Sequence, residues 1–413
     1  MMTERSKEIT SRALKRDTQF SYLPDADRYL MNKGQPRYRF NVIGTGINGQ
    51  EHIRVTHLEG RATIHGVYDP NPRSIEGAKI AHAETMPQTP LVVYDSLAAA
   101  CNDPAVDGLI ISTPNYTHLE VVREAAKSGK HILLEKPIGT MAADSLEITR
   151  IASSYPAVFQ LGLQYRYKAI YAESIYEALA RRSVGEIKMV GIQEYRMPFF
   201  DKVNQWNKFS RFSGNTLVEK CCHYFDLLNL FAGSYAVSVF ASGSMSVNFK
   251  EFEYNGEKSD ILDNAMVVVN YANGVRGSFN LCMFAPMFSE ELTVCGDEGR
   301  IRAWEHQDFL TNFDMDSHME IMCDENKPSR RMQPGYPTWI ERSGHNGATY
   351  YEHVNFIENI EGKPTNTATA QEGLWSVLVA LAAQQSIKTG EVVQMEAFLR
   401  SQEIVLDEFM GGA

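Results

Sequence analysis

The sequence predicts an α/β protein of two domains. The first is a parallel sheet covered by helices on both faces, and the second is an α+β domain built on a large, mostly antiparallel sheet. Three observations carry this expectation. Strand and helix patterns alternate through six repeats between residues 37 and 161. A glycine-rich turn, Gly44-Thr-Gly46-Ile-Asn-Gly49, joins the first strand to the first helix. After residue 165 the rhythm changes to paired strand-like runs with hairpin signals.

The first domain reads in order. RYRFNVI (37–43) is a strand, 49–59 a helix, and ATIHGVY (62–68) a second strand ending at Asp69. An alanine-rich helix near 74–83, a short strand 91–94 and a helical piece at 98–100 follow. Strands 108–112, 131–134 and 157–161 then alternate with helices 117–128 and 140–153. Little polar residue interrupts these strands, which suits a parallel sheet buried on both faces. Beyond it, helices are expected at 168–182, 217–231, 347–361, 370–389 and 395–410. Strand character marks 186–196, 236–246, 264–272, 275–284, 290–296 and 299–304, with Asn273-Gly274 as a hairpin turn. The polar, proline-bearing region 306–344 reads as loops over the sheet. One face of such a sheet is free to meet a second copy of the chain.

Composition narrows the function. The chain has 413 residues, 44% apolar and 22% charged, ordinary globular values. Its formal net charge of -11 argues against nonspecific binding to nucleic acid or anionic lipid. The N-terminal stretch is charged throughout, and no run of about 18 apolar residues offers a membrane span, so the cytoplasm is expected. Cys101, Cys221, Cys222, Cys282, Cys295 and Cys323 lack metal-site spacing and read as reduced thiols.

The glycine turn has a specific physical reading. Gly44 permits the tight turn, Gly46 lets backbone approach a pyrophosphate, and Gly49 allows close helix–strand packing. The helix amides then face the phosphates, with Ile47 and Asn48 inside the turn. Asp69, at the end of the second strand, is placed to accept from both ribose hydroxyls of NAD and to repel the 2′-phosphate of NADP. NAD is therefore expected over NADP. Arg73 either stacks on adenine or answers a phosphate. The division expected is an N-terminal arm at 1–36, a dinucleotide-binding Rossmann domain at 37–160, and a substrate and oligomerisation domain at 161–413.

Four motifs carry a family resemblance: GTGING (44–49), STPNYTH (112–118), EKP (135–137) and EKCCHYFDL (219–227). With these, the chain resembles the glucose-fructose oxidoreductase and inositol dehydrogenase (Gfo/Idh/MocA) superfamily from about residue 38 to 390. The resemblance implies a C-terminal mixed sheet and redox chemistry on ring hydroxyls of sugars and cyclitols. It also implies that Thr113, Pro114, Asn115 and His118 lie against the cofactor. For His118 the other reading is a first-turn histidine bonding to backbone. It gives Lys136 a catalytic place beside the nicotinamide, with Glu135 orienting it or touching the cofactor. A cation there stabilises an alkoxide-like transition state, and a lysine of depressed pKa also relays a proton.

His223 takes the role of proton donor or acceptor in the same resemblance. Glu219, His223 and Asp226 fall at i, i+4 and i+7, one face of a helix, so acidic neighbours can fix the imidazole tautomer. Relatives usually carry aspartate where this chain has Glu219, so substrate identity does not transfer from inositol dehydrogenases. Lys220 is either a substrate contact or structural. Cys221, Cys222 and His223 point about 100° apart on a helix and do not converge, so no metal is expected. Arg166 matches an arginine that relatives keep, and with Gln164 it is assigned to the cofactor or substrate rim. Tyr195, Trp206 and His345 suit a carbohydrate site, His345 through the resemblance of RSGHNGATYYEH (342–353) to the family's substrate-side segment.

The expected function is hydride transfer between nicotinamide and a ring secondary hydroxyl of a sugar, cyclitol or glycoside. Two alternatives stand beside it. One is a closed cycle with tightly bound NAD acting through a transient ketosugar. The other is a non-catalytic dinucleotide sensor or scaffold, for which a Lys136, Glu219 and His223 set has no use.

Overall fold

The computed structural model describes residues 36–285, 287–307, 315–324 and 327–405. The expected arm, apart from residue 36, lies outside the described residues. Six parallel strands form the first sheet: β1 Tyr38–Ile43, β2 Ala62–Tyr68, β3 Val92–Val93, β4 Gly108–Ile111, β5 His131–Glu135 and β6 Phe159–Gly162. Their order is β3-β2-β1-β4-β5-β6. The order reverses between β1 and β4, and ligands bind open α/β sheets at the carboxyl ends beside such a reversal. Leu109, Ile110, Ile111, Leu133 and Leu134 are fully buried because helices cover both faces.

The second sheet begins with β7 Ile187–Tyr195 and β8 Ala236–Ser244. A separate hairpin of β9 Glu253–Tyr254 and β10 Glu257–Lys258 follows. The sheet resumes with β11 Asn264–Tyr271, β12 Arg276–Cys282, β13 Phe288–Gly296, β14 Gly299–Gln307, β15 Asp316–Cys323, β16 Arg330–Met332 and β17 Val393–Gln394. The nine strands run β16-β15-β14-β13-β7-β12-β11-β8-β17, antiparallel except where β7 meets β12. Gly274, at φ +91°, closes the turn between β11 and β12. Ala265, Val267 and Val269 point inward while Met266 and Val268 are exposed, the period of two of a half-covered strand. Helices Cys222–Ala232 and Ala370–Thr389 cover the inner face.

The two domains share one core. An apolar cluster runs from Ile111 and Leu134 of the first sheet to Leu217 and Leu378 of the second domain. Helix Ala370–Thr389 packs on helix Ala142–Ser153, and the Leu161 N–H donates to the Ala368 carbonyl at 3.2 Å, covering the β6 edge. Among the described residues, no helix is long and apolar enough to cross a membrane.

Several elements differ from expectation. Region 306–344 is not all loop: β15 and β16 extend the sheet, with Met319 and Ile321 buried. The helix expected at 217–231 is two helices, Asn215–Glu219 and Cys222–Ala232, broken at Lys220 and Cys221. The helix at 168–182 is Ala169–Ile175 followed by a wider turn over Tyr176–Ala180. The last described helix is Met395–Ser401; 402–405 are not helical, and the rest of the expected 395–410 span lies outside the described residues.

Candidate active site

A cleft of about 820 Å³ opens at the carboxyl ends of β1 and β4. Gly44, Gly46, Ile47, Asn48, Asp69, Arg73, Thr113, Pro114, Asn115 and Glu135 line it, together with Lys136 and Trp206. The glycines play three distinct parts. A Cβ on Gly44, at φ +87°, would lie 2.6 Å from the Ser112 carbonyl oxygen. A Cβ on Gly49 would lie 2.1 Å from the Gly44 oxygen, so only glycine lets helix Ile47–Glu59 pack this close. Gly46 has nothing within 4 Å of that position, and it faces open space at a helix N-terminus with no side-chain cap. Uncapped amides beside that space form a cradle for a pyrophosphate, so the residues fit a dinucleotide. Asp69 accepts from the Thr45 N–H and the Asn71 N–H, both at 2.7 Å, which fixes its carboxylate in the cleft wall. Arg73 stands exposed opposite it.

Lys136 directly follows β5, lines the cleft and is 9% exposed. Its ammonium donates to the Glu219 carbonyl at 3.2 Å and lies 3.8 Å from Glu219 Oε2. Lys202, reaching in from the second domain, holds Glu219 Oε1 at 3.0 Å and sits 4.6 Å over the Trp206 ring. Burial pushes the Glu219 carboxyl up, but Lys136 and Lys202 outweigh it and hold it at about 2. Burial works against the Lys136 charge, but Glu219, Cys222 and Glu135 together outweigh it and the ammonium titrates above its usual range. In this arrangement the Lys136 side chain is held charged.

His223 is 2% exposed and stacks on Tyr165 with ring centroids 4.1 Å apart. Its Nδ1 is buried with no hydrogen-bond partner. Neither acidic neighbour fixes its tautomer: Glu219 pairs with lysines, and Asp226 pairs with Arg166. Burial first, then the charges of Lys136 and Lys220, push the imidazole well below 6.5. The imidazole is thus held neutral at pH 7. The acid limb of kcat/KM for alcohol oxidation is expected below pH 6.5, and His223→Gln removes it. A limb at or above that value in a pH–rate profile would show that another group is the base.

Other expected residues take different places. His118 does not touch the cleft: Nδ1 meets the Pro137 carbonyl at 2.8 Å and Nε2 the Thr113 carbonyl at 3.2 Å, so it braces two cleft loops. Gln164 is fully buried with both amide atoms unpartnered, and it lies outside the cleft wall. Arg166 is bound to Asp226, at 2.7 and 2.6 Å, and to Glu372 at 2.9 Å, and it is not on a substrate rim. Tyr195 is 42% exposed on the open sheet face and does not line the cleft. Lys220 is buried against the Tyr165 hydroxyl and Glu194, a structural place beneath His223. His345 bridges to Glu51 at 2.8 Å and does not line the cleft.

Sequence reasoning missed Lys202, Tyr165 and Glu194. Strand parity could have found the last: in β7 the alternation that buries Val190 and Ile192 also buries Glu194 and turns Tyr195 outward. Tyr165 stands between Gln164 and Arg166 in GLQYRYK, with no pattern of its own. Lys202 carries no local signal, because its role depends on a loop folding back across the cleft.

A dinucleotide cradle whose cleft reaches the buried Lys136, itself paired with Glu219 behind the wall, fits a nicotinamide-dependent oxidoreductase, while Glu219 and His223 do not themselves line the cleft. The chain belongs to the Gfo/Idh/MocA oxidoreductase family. The family's NAD-binding Rossmann-fold model matches residues 38–163, and its C-terminal alpha/beta domain model matches residues 176–395. A myo-inositol 2-dehydrogenase of Thermotoga maritima is 23% identical over 359 residues, 87% of this chain and 98% of that one. A scyllo-inositol 2-dehydrogenase (NAD(+)) of Bacillus subtilis is 25% identical over 365 residues, covering 87% and 96%. The solved structure of a levoglucosan dehydrogenase with NADH and levoglucosan shares the fold, with TM-score 0.70 and 18% identity over 87% of this chain and 99% of that one.

Proposed function

We propose that this oxidoreductase transfers hydride between NAD and a ring secondary hydroxyl of a sugar, cyclitol or glycoside. The observation that carries the reading is the Lys136 ammonium, buried in the cleft lining and tied to Glu219. NAD, when bound, supplies the hydride acceptor. The glycine turn and helix Ile47–Glu59 hold its phosphates, and Asp69 takes the adenosine ribose. Lys136 binds the reacting oxygen and stabilises its developing negative charge. His223 accepts the hydroxyl proton during oxidation and returns it during reduction. Glu219 anchors Lys136, and Trp206 closes the cleft wall from the second domain.

NAD is favoured over NADP because a fixed carboxylate at Asp69 repels a 2′-phosphate. Inositol-acting relatives and a levoglucosan-acting structural neighbour support a polyhydroxylated ring as substrate. The same reading assigns residues 37–160 to the dinucleotide and 161–413 to substrate and oligomerisation. It pairs copies through the open sheet face, where Met189, Phe240, Met266 and Val268 are exposed. It places the enzyme in the cytoplasm, consistent with six free thiols. Screening sugars, cyclitols and glycosides for reduction of NAD⁺ and of NADP⁺ tests the reading. Turnover with a ring alcohol and a preference for NAD⁺ is expected; activity with none of the three classes would sink it.

A further inference from the structure

Behind Lys136 lies a buried chain of polar groups that hydride transfer does not use. Glu135 ends β5, His52 sits on helix Ile47–Glu59, and Glu352 and His353 sit on helix Ala348–Ile360. His52, Glu352 and His353 are each no more than 1% exposed. His52 Nε2 meets Glu135 Oε1 at 2.9 Å, and His52 Nδ1 meets His353 Nε2 at 2.8 Å. His353 Nδ1 lies 3.3 Å from Thr56 Oγ1, whose own hydrogen goes to the His52 carbonyl at 2.7 Å.

Hydrogen counting then leaves a gap. Toward His353 the Thr56 oxygen is an acceptor, so His353 Nδ1 carries a hydrogen. Toward the Glu135 carboxylate, His52 Nε2 is the donor. If both rings were neutral, the facing nitrogens would present two lone pairs to each other at 2.8 Å. Something positive must sit between them.

A metal ion and a proton are the two candidates, and distance separates them. Three ligand atoms, from His52, Glu352 and His353, lie within 4.8 Å of one another. Two imidazole nitrogens on a tetrahedral zinc, each bonded at about 2.0–2.1 Å, stand about 3.3 Å apart. The observed 2.8 Å is too short for that and matches an N–H···N hydrogen bond. Glu352, with both carboxyl oxygens buried and unpartnered, also behaves as the neutral acid and not as an ionised ligand. Burial, reinforced by Glu135 and Glu51, raises its pKa well above the usual range.

We infer that His52 is a positioning residue, an imidazolium whose second proton is held between its ring and His353 and which fixes Glu135 behind Lys136. The inference rests on the proposed role of Lys136. The Glu135 carboxylate has one oxygen on His52 and the other on the Lys136 backbone N–H at 3.1 Å. A cation behind Glu135 balances its charge, so the Lys136 ammonium is free to face Glu219 and the reacting oxygen. The charged and titratable groups around this ring are Glu51 on its own helix, Glu135 at the end of β5 and Lys136 just after it, Glu352 and His353 on the C-terminal helix, and His345 on the loop before it.

Nitrogen-15 spectra of the full-length protein, labelled at histidine, test the protonation directly. His52, assigned by its loss in His52→Gln, is expected to show two protonated ring nitrogens at pH 7.5, and His353 only one. The kinetic arm uses His52→Gln, His353→Gln and His353→Met. His52→Gln is expected to lower kcat by about tenfold or more while KM for nucleotide stays within about twofold. His353→Gln, whose amide oxygen accepts the same hydrogen, is expected to keep kcat, whereas His353→Met loses it. A neutral His52, a stoichiometric divalent metal by elemental analysis, or a His52→Gln variant that lowers only the melting temperature would each overturn the inference. Failure of the Lys136 reading looks different: Lys136→Met would keep turnover while the His52 nitrogen signals stay doubly protonated.

Discussion

Lys136→Met is expected to lower kcat by about two to three orders of magnitude while nucleotide affinity stays near normal. Methionine keeps most of the packing of the side chain and removes the charge together with the hydrogen bond to the Glu219 carbonyl. In the native protein that charge is fully formed, since Glu219, Cys222 and Glu135 together hold the ammonium above its usual range against the effect of burial. The variant leaves Glu219 with Lys202 as its remaining cation at 3.0 Å, so the carboxylate stays paired and the cleft keeps its shape. The phosphate cradle at Gly46 is built by another loop and is untouched. Absorbance of NADH gives kcat, and quenching of protein fluorescence gives nucleotide affinity. Rates like those of the native enzyme would remove Lys136 from the chemistry. Equal losses in turnover and nucleotide binding would mean that it holds the cofactor instead.

Arg166→Met is expected to cost about 3–5 kcal/mol of stability, because it strands a buried charge. Asp226 is 2% exposed at the side chain and receives two N–H groups of Arg166 at 2.7 and 2.6 Å. Removing the guanidinium leaves that carboxylate without its partner in the helix that carries His223. Glu372 fares better, since it also accepts from the Thr369 N–H at 2.8 Å as part of a capping box. Arg166→Lys should fall between the two, as one ammonium cannot reproduce a planar fork shared by two carboxylates. Denaturant unfolding measures the change as a lower midpoint at constant slope. A loss under about 1 kcal/mol would show that Asp226 finds water or protonates at little cost.

Arg166 also marks where sequence reading stops. The glycine turn, Asp69, the STPN loop and Lys136 were legible because their positions follow from chain-local rules: a strand end, a helix start, a switch point in a parallel sheet. Arg166 stands out in GLQYRYK as a charge in need of a partner, but Asp226 and Glu372 lie far along the chain. No local pattern distinguishes an arginine that meets a ligand from one that meets two helices. The Glu219–His223–Asp226 face failed for a related reason. Its spacing is helical, yet the backbone breaks at Lys220 and Cys221, so the three side chains find three different sets of partners. β15 was lost to the prolines that follow it, although Met319 and Ile321 alternate with polar residues as a strand requires.

The one parallel contact in the second sheet has a consequence for how the chain assembles. β7 sits at the centre of nine strands, yet both of its neighbours, β12 and β13, come much later in the sequence. During synthesis β7 emerges with both edges unpaired; β12 can cover one once Cys282 has left the ribosome, and the other waits for the chain to Gly296. Closing that long interval makes sheet completion the slow event of folding, and nascent chains stalled within it are the ones exposed to aggregation.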